Sequence, residues 1–352
     1  MLRLFLLLPF FLLPACQQAA SPPVTLTPVA VDVAAAYPSQ EPKTRPPILT
    51  GFTPLSKEQL DEGRVQLFDG ISTFGWEVTE GKGTPTVMTD GEKNYLTFEK
   101  TKQGQAAISH RLCGVQTKYE DDGTYTGSAG NNWAIYWLAG LGDALSSILS
   151  DFPCQFIHGV QATPIYGVQA KPNNLQPLTE SDWKPAAGKS EAKWTDGVLE
   201  LTGGSGMVES VKEYGDFVLQ LEYLTEKGIN SGVFFRCIPG ENMNGYECQI
   251  FNSPPDGDYE KFIGTDTGGI FRRQVGRNVG PKDGEWNYLT IAARGPNIAT
   301  WVNGIQVTDW TDTREEHPNP RNGKRLAPGT IQLQGHDPST KIQFRNFRIA
   351  EE

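Results

Sequence analysis

The chain has 352 residues, 38% of them hydrophobic, with Lys+Arg 31 against Asp+Glu 41 and a formal net charge of -10. No basic patch stands out along it, which argues against nucleic acid as a partner. Gly 38, Pro 25 and an aromatic content of 10% suit a turn-rich β protein.

Arg3 is a short positive start, and residues 4–13 are apolar apart from Pro9. A membrane span needs roughly 20 apolar residues, so this run reads as a secretory h-region instead. Leu13-Pro14-Ala15-Cys16 then resembles a bacterial lipobox, in which the Cys becomes the lipidated first residue of the mature chain. Pro14 departs from the small or aliphatic residue usual there, and an ordinary cleaved signal peptide is the plainer alternative. Residues 1–16 are therefore expected to be a lipoprotein signal peptide, and the protein to be exported and held by lipid at the periplasmic or outer surface. Pro22, Pro23, Pro28, Pro38, Pro42, Pro46 and Pro47 follow among Ala, Ser, Thr and Gln. Such a segment buries too little apolar surface to fold, so 17–63 reads as a disordered tether. About 300 residues remain, enough for one large or two small domains.

Residues 64–182 are less regular. Leu67-Phe68-Asp69-Gly70 opens a β-like stretch through Trp76, residues 113–180 have no clear period, and 138–149 suit one short helix. Trp76, Gly81-Lys82 and Thr89-Asp90-Gly91 are echoed by Trp183, Gly188-Lys189 and Thr195-Asp196-Gly197. The echo is either coincidence among common turn residues or a partial repeat. Residues 64–182 are thus an opening β motif followed by an insertion or partial repeat.

From 183 to 352 short strands dominate. Phe217, Leu219, Leu221 and Tyr223 alternate with Val218, Gln220 and Glu222, a period-two pattern. Further strands are expected at 232–238, 246–251, 286–293, 298–302, 305–308, 330–333 and 341–349. Asn303-Gly304 predicts a two-residue hairpin, since a type I′ turn wants positive φ at both positions. Many strands at short spacing predict an antiparallel sandwich or barrel. Past Cys16 four cysteines remain, Cys113, Cys154, Cys237 and Cys248. An even number in an oxidising compartment permits two disulfides, and the spacing has no zinc-finger pattern. Setting Cys237 opposite Cys248 in a hairpin keeps the strand faces consistent and predicts that pair bonded, with Cys113 and Cys154 left over.

Several motifs now fall in order: Trp194-Thr195-Asp196-Gly197-Val198-Leu199, Glu213-Tyr214-Gly215-Asp216-Phe217, Asn230-Ser231-Gly232-Val233-Phe234-Phe235-Arg236, Gly245-Tyr246-Glu247-Cys248-Gln249-Ile250, Gly284-Glu285-Trp286-Asn287, Trp301-Val302-Asn303-Gly304, Leu333-Gln334-Gly335-His336-Asp337 and Phe344-Arg345-Asn346-Phe347-Arg348-Ile349. Together they resemble the 3-keto-disaccharide hydrolase domain family. Leu67 to Trp76 resembles the family's opening motif, here separated from Trp194 by over a hundred residues instead of a short stretch. The resemblance implies an all-β fold for 183–352, an antiparallel jelly-roll β-sandwich of the concanavalin A-like lectin and glucanase kind. It also implies action on oligosaccharides or glycosides already oxidised to a 3-ketone, and a separate sugar 3-oxidoreductase that makes the ketone.

Strand alternation sorts the residues onto faces. Val233, Phe235 and Cys237 share one face with Tyr246, Cys248 and Ile250. Asn230, Phe234 and Arg236 share the other with Glu247, Gln249 and Phe251. The second face, polar groups among aromatic rings, suits a sugar, and with the family resemblance it is read as a site rather than a solvated surface. His336 falls on a family motif, whereas His110, His158 and His317 have no such setting. Arg272 and Arg273 suit either a cleft rim or a solvated loop. A C3 ketone acidifies the C2 hydrogen, so the chemistry needs a base, a group to hold the enolate and an acid for the leaving oxygen. Glu247 or His336 is the expected base, and Arg236 or a divalent metal ion holds the enolate. Asn230, Phe234, Gln249 and Asp337 are expected to bind substrate. The alternatives are a glycosidase using Glu247 and Asp337, or a non-catalytic carbohydrate-binding module at the cell surface.

Overall fold

In the computed structural model residues 168–352 are described without a break, and before them 27–28, 46–52, 54–80, 85–90, 93–97, 106–111, 115–119, 125–128 and 133–137. Cys16, Cys113, Cys154, His158 and the helix expected at 138–149 lie outside the described residues.

Twelve strands build the C-terminal half: β1 (Trp183–Gly188), β2 (Glu191–Thr195), β3 (Val198–Thr202), β4 (Gly206–Ser210), β5 (Phe217–Thr225), β6 (Ser231–Cys237), β7 (Tyr246–Ile250), β8 (Trp286–Arg294), β9 (Asn297–Val302), β10 (Ile305–Thr311), β11 (Thr330–Gly335) and β12 (Lys341–Glu351). One sheet runs in the order β2-β3-β12-β5-β8-β9-β10, with a short strand at Gln176–Pro177 on β12. The other runs β1-β4-β11-β6-β7, and every pairing is antiparallel. This is a jelly-roll sandwich. Its core is filled by alternate residues of both sheets: Phe217, Leu219, Leu221 and Tyr223 from β5 meet Val233, Phe235, Tyr246, Cys248 and Ile250 from β6 and β7. That is the alternation the sequence carries, and it hides the apolar face between two sheets as a sandwich requires. At the β9–β10 turn Asn303 has φ 50° and Gly304 φ 80°, both positive, as the hairpin motif demands.

The expected disulfide does not form: Cys237 and Cys248 are both free and buried. Two features separate them. Cys248 lies opposite Val233, four residues earlier on β6 than expected, because residues 238–245 make a longer connection. Arg236 also has φ 49°, and the β6–β11 register shifts between Phe234 and Cys237. This bulge reverses the alternation. Cys237 turns to the outer face with Phe234 and Met207, while Cys248 stays in the core. Side chains on opposite faces of a sheet cannot be bridged.

The outer side of the larger sheet carries a third layer. Val218, Ala292, Ala299 and Trp301 pack against Val65, Leu67, Phe68, Trp76, Val87, Leu96 and Ala170. The opening motif docks here by its polar groups as well. Asp69 accepts from the Ile71 and Ser72 amides and pairs with buried Arg277, while Trp301 Nε1 donates to the Gln66 carbonyl at 2.9 Å. Helix α1 (Lys57–Asp61) lies within the expected tether and corrects its end. Ser56 caps it in a reciprocal box with Gln59, and Leu55 and Leu60 crowd the space beside Gly304. The two echoed stretches share an outline. Strand Trp76–Glu80 pairs with Ala106–His110 around the hairpin of Thr86–Asp90 and Lys93–Thr97, and β1 pairs with β4 around the β2–β3 hairpin. Among the described residues no helix is long and apolar enough to cross a membrane.

Candidate active site

With the back of the larger sheet covered, the outer face of β1-β4-β11-β6-β7 is the one left for a ligand. Its side chains form a grid set by strand register. In one row Glu209 on β4 faces Gln332 on β11, Gln332 faces Phe234 on β6, and Phe234 faces Glu247 on β7. In the next row Met207 faces Gln334, and Gly232 faces Gln249. Gly232 lies between the two glutamines, and the Glu247 side chain fills the space that its missing side chain leaves: any Cβ there would stand 3.1 Å from Glu247 Oε1.

Glu247 is the chemical centre of this face. It is 5% exposed, and Arg321 Nη2 donates to its Oε2 at 3.0 Å. Burial pushes its carboxyl above the usual glutamate value, against the pull of Arg321, His336 and Arg272. Arg321 comes from the loop between β10 and β11. Its guanidinium lies 5.0 Å over the Phe234 ring, its Nε donates to the Met243 carbonyl at 2.8 Å, and its own carbonyl accepts from Arg273 Nη2 at 2.7 Å. Segment 268–271 extends the sheet beyond β7, with Phe271 N donating to the Glu247 carbonyl at 2.9 Å. That pairing sets exposed Arg272 beside the site, stacked on Phe271 at 5.0 Å.

The expected residues are brought together only in part. Gln249 and Asn230 meet, Nε2 to Oδ1 at 2.8 Å. His336 is partly exposed and within electrostatic reach of Glu247, with its Nδ1 2.8 Å from Asp337 Oδ2. Asp337 closes its own turn, accepting from the Ser339 amide at 2.7 Å and from the Ser339 hydroxyl, which holds its carboxyl low. Phe234 is fully buried beneath Arg321 and offers no ring face to a sugar. Arg236 is not in the site at all. It is 0% exposed, and its guanidinium donates to the carbonyls of Gly215, Gly295 and Arg325 and to Asp216. The bulge at its own position carries it off the face. Sequence reasoning missed Gln332 and Gln334, although the alternation Ile331-Gln332-Leu333-Gln334 signals them. It also missed Arg321, which no local pattern marks, and Glu209. Glu209 stands three strands from Glu247, about 14 Å at the usual strand spacing. It is also spent, accepting from Gly240 N, Thr330 Oγ1 and Gln332 Nε2. Among the described residues no three His, Cys, Asp or Glu side chains gather as around a metal ion. A small cavity lined by Leu60, Arg64, Gln220, Glu222, Tyr288 and Arg348 lies under α1, on the far side of the sandwich.

Residues 177–350 match the family model described as a 3-keto-alpha-glucoside-1,2-lyase-like domain. The C-terminal half of the chain is a domain of this family. The 3-keto-α-glucoside-1,2-lyase-like domain, carbohydrate-active in type, also has similar solved structures. One is a Parabacteroides distasonis protein described as a candidate glycosyl hydrolase, 28% identical, covering 48% of this chain and 99% of its own, with a TM-score of 0.38. A second from the same organism is 20% identical, covering 49% and 90%, with a TM-score of 0.40. The carbohydrate-binding module CBM66 of Bacillus subtilis is 14% identical, covering 47% and 93%, with a TM-score of 0.34. No curated protein matches the chain.

Proposed function

We propose that the domain cleaves 3-keto-glycosides by elimination on the outer face of the smaller sheet. The observation that carries this reading is the buried Glu247 carboxylate, raised in proton affinity by desolvation and held by a single arginine. A base of raised pKa suits removal of a carbon-bound proton made acidic by a neighbouring ketone. Glu247 takes the C2 proton, and the C2–H electrons pass into the C3 carbonyl as an enolate. Arg321, with Arg272 at the rim, supplies the positive charge beside that oxygen, the role sequence reasoning gave to Arg236. As the enolate collapses the C1–O bond breaks, and His336 protonates the departing oxygen. Water adding across the C1–C2 double bond would complete hydrolysis.

The test is turnover of 3-keto-trehalose and 3-keto-lactose, with and without chelator. Glu247→Gln is expected to lose about 100- to 10,000-fold in rate while remaining folded. The base must be ionised, so kcat/KM should rise with pH through an apparent pKa above that of an ordinary glutamate. Wild-type rate in Glu247→Gln overturns the assignment, and sugar binding without any product favours a binding module. A chelator-sensitive rate would give the enolate to a metal ion instead of Arg321. Cleavage of the unoxidised sugars would favour a glycosidase using Glu247 and Asp337, though Asp337 has both lone pairs of one oxygen committed to Ser339.

On the same reading the protein works outside the cytoplasm, lipidated at Cys16, and a separate sugar 3-oxidoreductase supplies the ketone. The apolar run ending at Cys16 supports this. Cys16→Ser should move the protein from the membrane fraction to the soluble one. Retention at wild-type level would refute lipidation there.

A further inference from the structure

Gln334 is 3% exposed, on the outer face of β11, and lies in the grid next to Gly232, over which the Glu247 carboxylate rests. Its side chain is poorly used. Oε1 is buried and has no hydrogen-bond partner among the described residues. Nε2 donates only to the thioether of Met243, at 3.5 Å. Sulfur is a weak acceptor, and an unsatisfied amide oxygen costs its full desolvation. A buried amide in this state is short of one good partner that both donates and accepts, which describes a hydroxyl group.

The place for such a partner is beside Glu247. Gly232 separates Gln334 from Gln249, and its missing side chain lets the Glu247 carboxylate lie over it, in the same row as Gln334. Met243 is 42% exposed, so its thioether can be displaced from above. Met243 sits in the β6–β7 loop with φ 58°, a conformation uncommon for a residue with a side chain. Its main chain is held to the face by Arg321 Nε and by Gln332 Oε1, at 2.8 and 3.4 Å. The loop can therefore keep its place while the thioether gives way.

We propose that Gln334 is a specificity-determining residue whose amide takes a substrate hydroxyl in place of the Met243 thioether, and so sets the sugar ring beside Glu247. The inference rests on the outer face of the smaller sheet being the substrate site. It predicts a contact made in the bound ground state, so its loss should appear in KM and not in kcat.

The test uses the full protein with 3-keto-trehalose and a panel of 3-keto-glucosides, each lacking one hydroxyl. Gln334→Leu should raise KM roughly 5- to 10-fold, the worth of one neutral hydrogen bond, with kcat within about twofold and an unchanged melting temperature. The penalty should vanish for one member of the panel, the one lacking the hydroxyl that Gln334 reads. Met243→Leu should leave KM unchanged or lower it. If Gln334 merely braces the loop, both variants will lose alike on every substrate, and the proposal fails. It also fails if Gln334→Leu keeps the wild-type KM. Should the wild type turn over none of these compounds, the elimination reading falls by itself, and calorimetry with the same panel then decides Gln334. A Kd penalty that vanishes for one analogue upholds it, and a uniform penalty or no binding overturns it.

Discussion

Arg321 takes the place beside Glu247 that strand alternation assigns to Arg236. A period-two reading puts Arg236 on the face with Glu247, but its φ of 49° breaks the period at that residue. The guanidinium instead ties together Gly215, Asp216, Gly295 and Arg325, four residues from three connections between strands. Removing one partner of a buried charged network costs about 3 to 5 kcal/mol, because the others are left unsatisfied. Arg236→Ala should thus lower stability by that amount in urea unfolding, while the protein that remains folded keeps the wild-type KM. A raised KM at unchanged stability would return Arg236 to the site. Glu247 and Gln249 were legible because they alternate with Tyr246, Cys248 and Ile250, whose burial fixes the other face. Arg321 was not, since it sits in a polar loop 74 residues from Glu247 and only the fold brings them to 3.0 Å.

Among elements, the strands read well and their registers less so. β5 through β12 fall where apolar alternation and turn residues put them, because burial between two sheets imposes that alternation on the chain. The pairing of β6 with β7 differs by four residues from the one expected. An even slip preserves the faces, so the core and site faces of β7 survived while the disulfide did not. Loop length decides such a slip, and nothing local in 238–245 reveals it. Its Ile238 amide to Asn244 carbonyl bond, 3.1 Å, is set by where the strands end. The helix α1 was missed although Ser56 and Gln59 spell a capping box, because a proline-rich approach suggested that order begins later.

The described residues form a sandwich with an added layer, and His110 stands at their junction. It is fully buried between Trp76 and Trp301, with Nε2 3.1 Å from Gln306 Oε1 on β10. Desolvation pulls its pKa down to about 4. The unfolded chain takes up a proton near the ordinary histidine value of 6.5, whereas the folded protein resists until about 4. The stability this group contributes is complete above pH 6.5 and is lost as pH falls from there to about 4. The loss amounts to roughly 2 to 3 kcal/mol. Glu247 and Asp309, both raised by burial, act in the opposite sense in the acid range, so the comparison must be with a variant. Urea midpoints measured from pH 7 to pH 4 should fall more steeply for wild type than for His110→Gln. Parallel curves would show that the histidine is not buried at this junction.

The apolar alternation and the turn residues by themselves determined an antiparallel sandwich or barrel in the C-terminal half and the outward face that carries Glu247 and Gln249, and the jelly roll was what the resemblance carried by the order of motifs implied. The sandwich and its outward face are local consequences of a two-residue period and of burial on one side. The tertiary structure decided which arginine meets the carboxylate, that Cys237 and Cys248 face apart, and that Gln334 lies beside Gly232 under the Met243 thioether. Each depends on a bulge, a loop length or a contact between distant segments, where the energy lies in partners that no neighbouring residue announces.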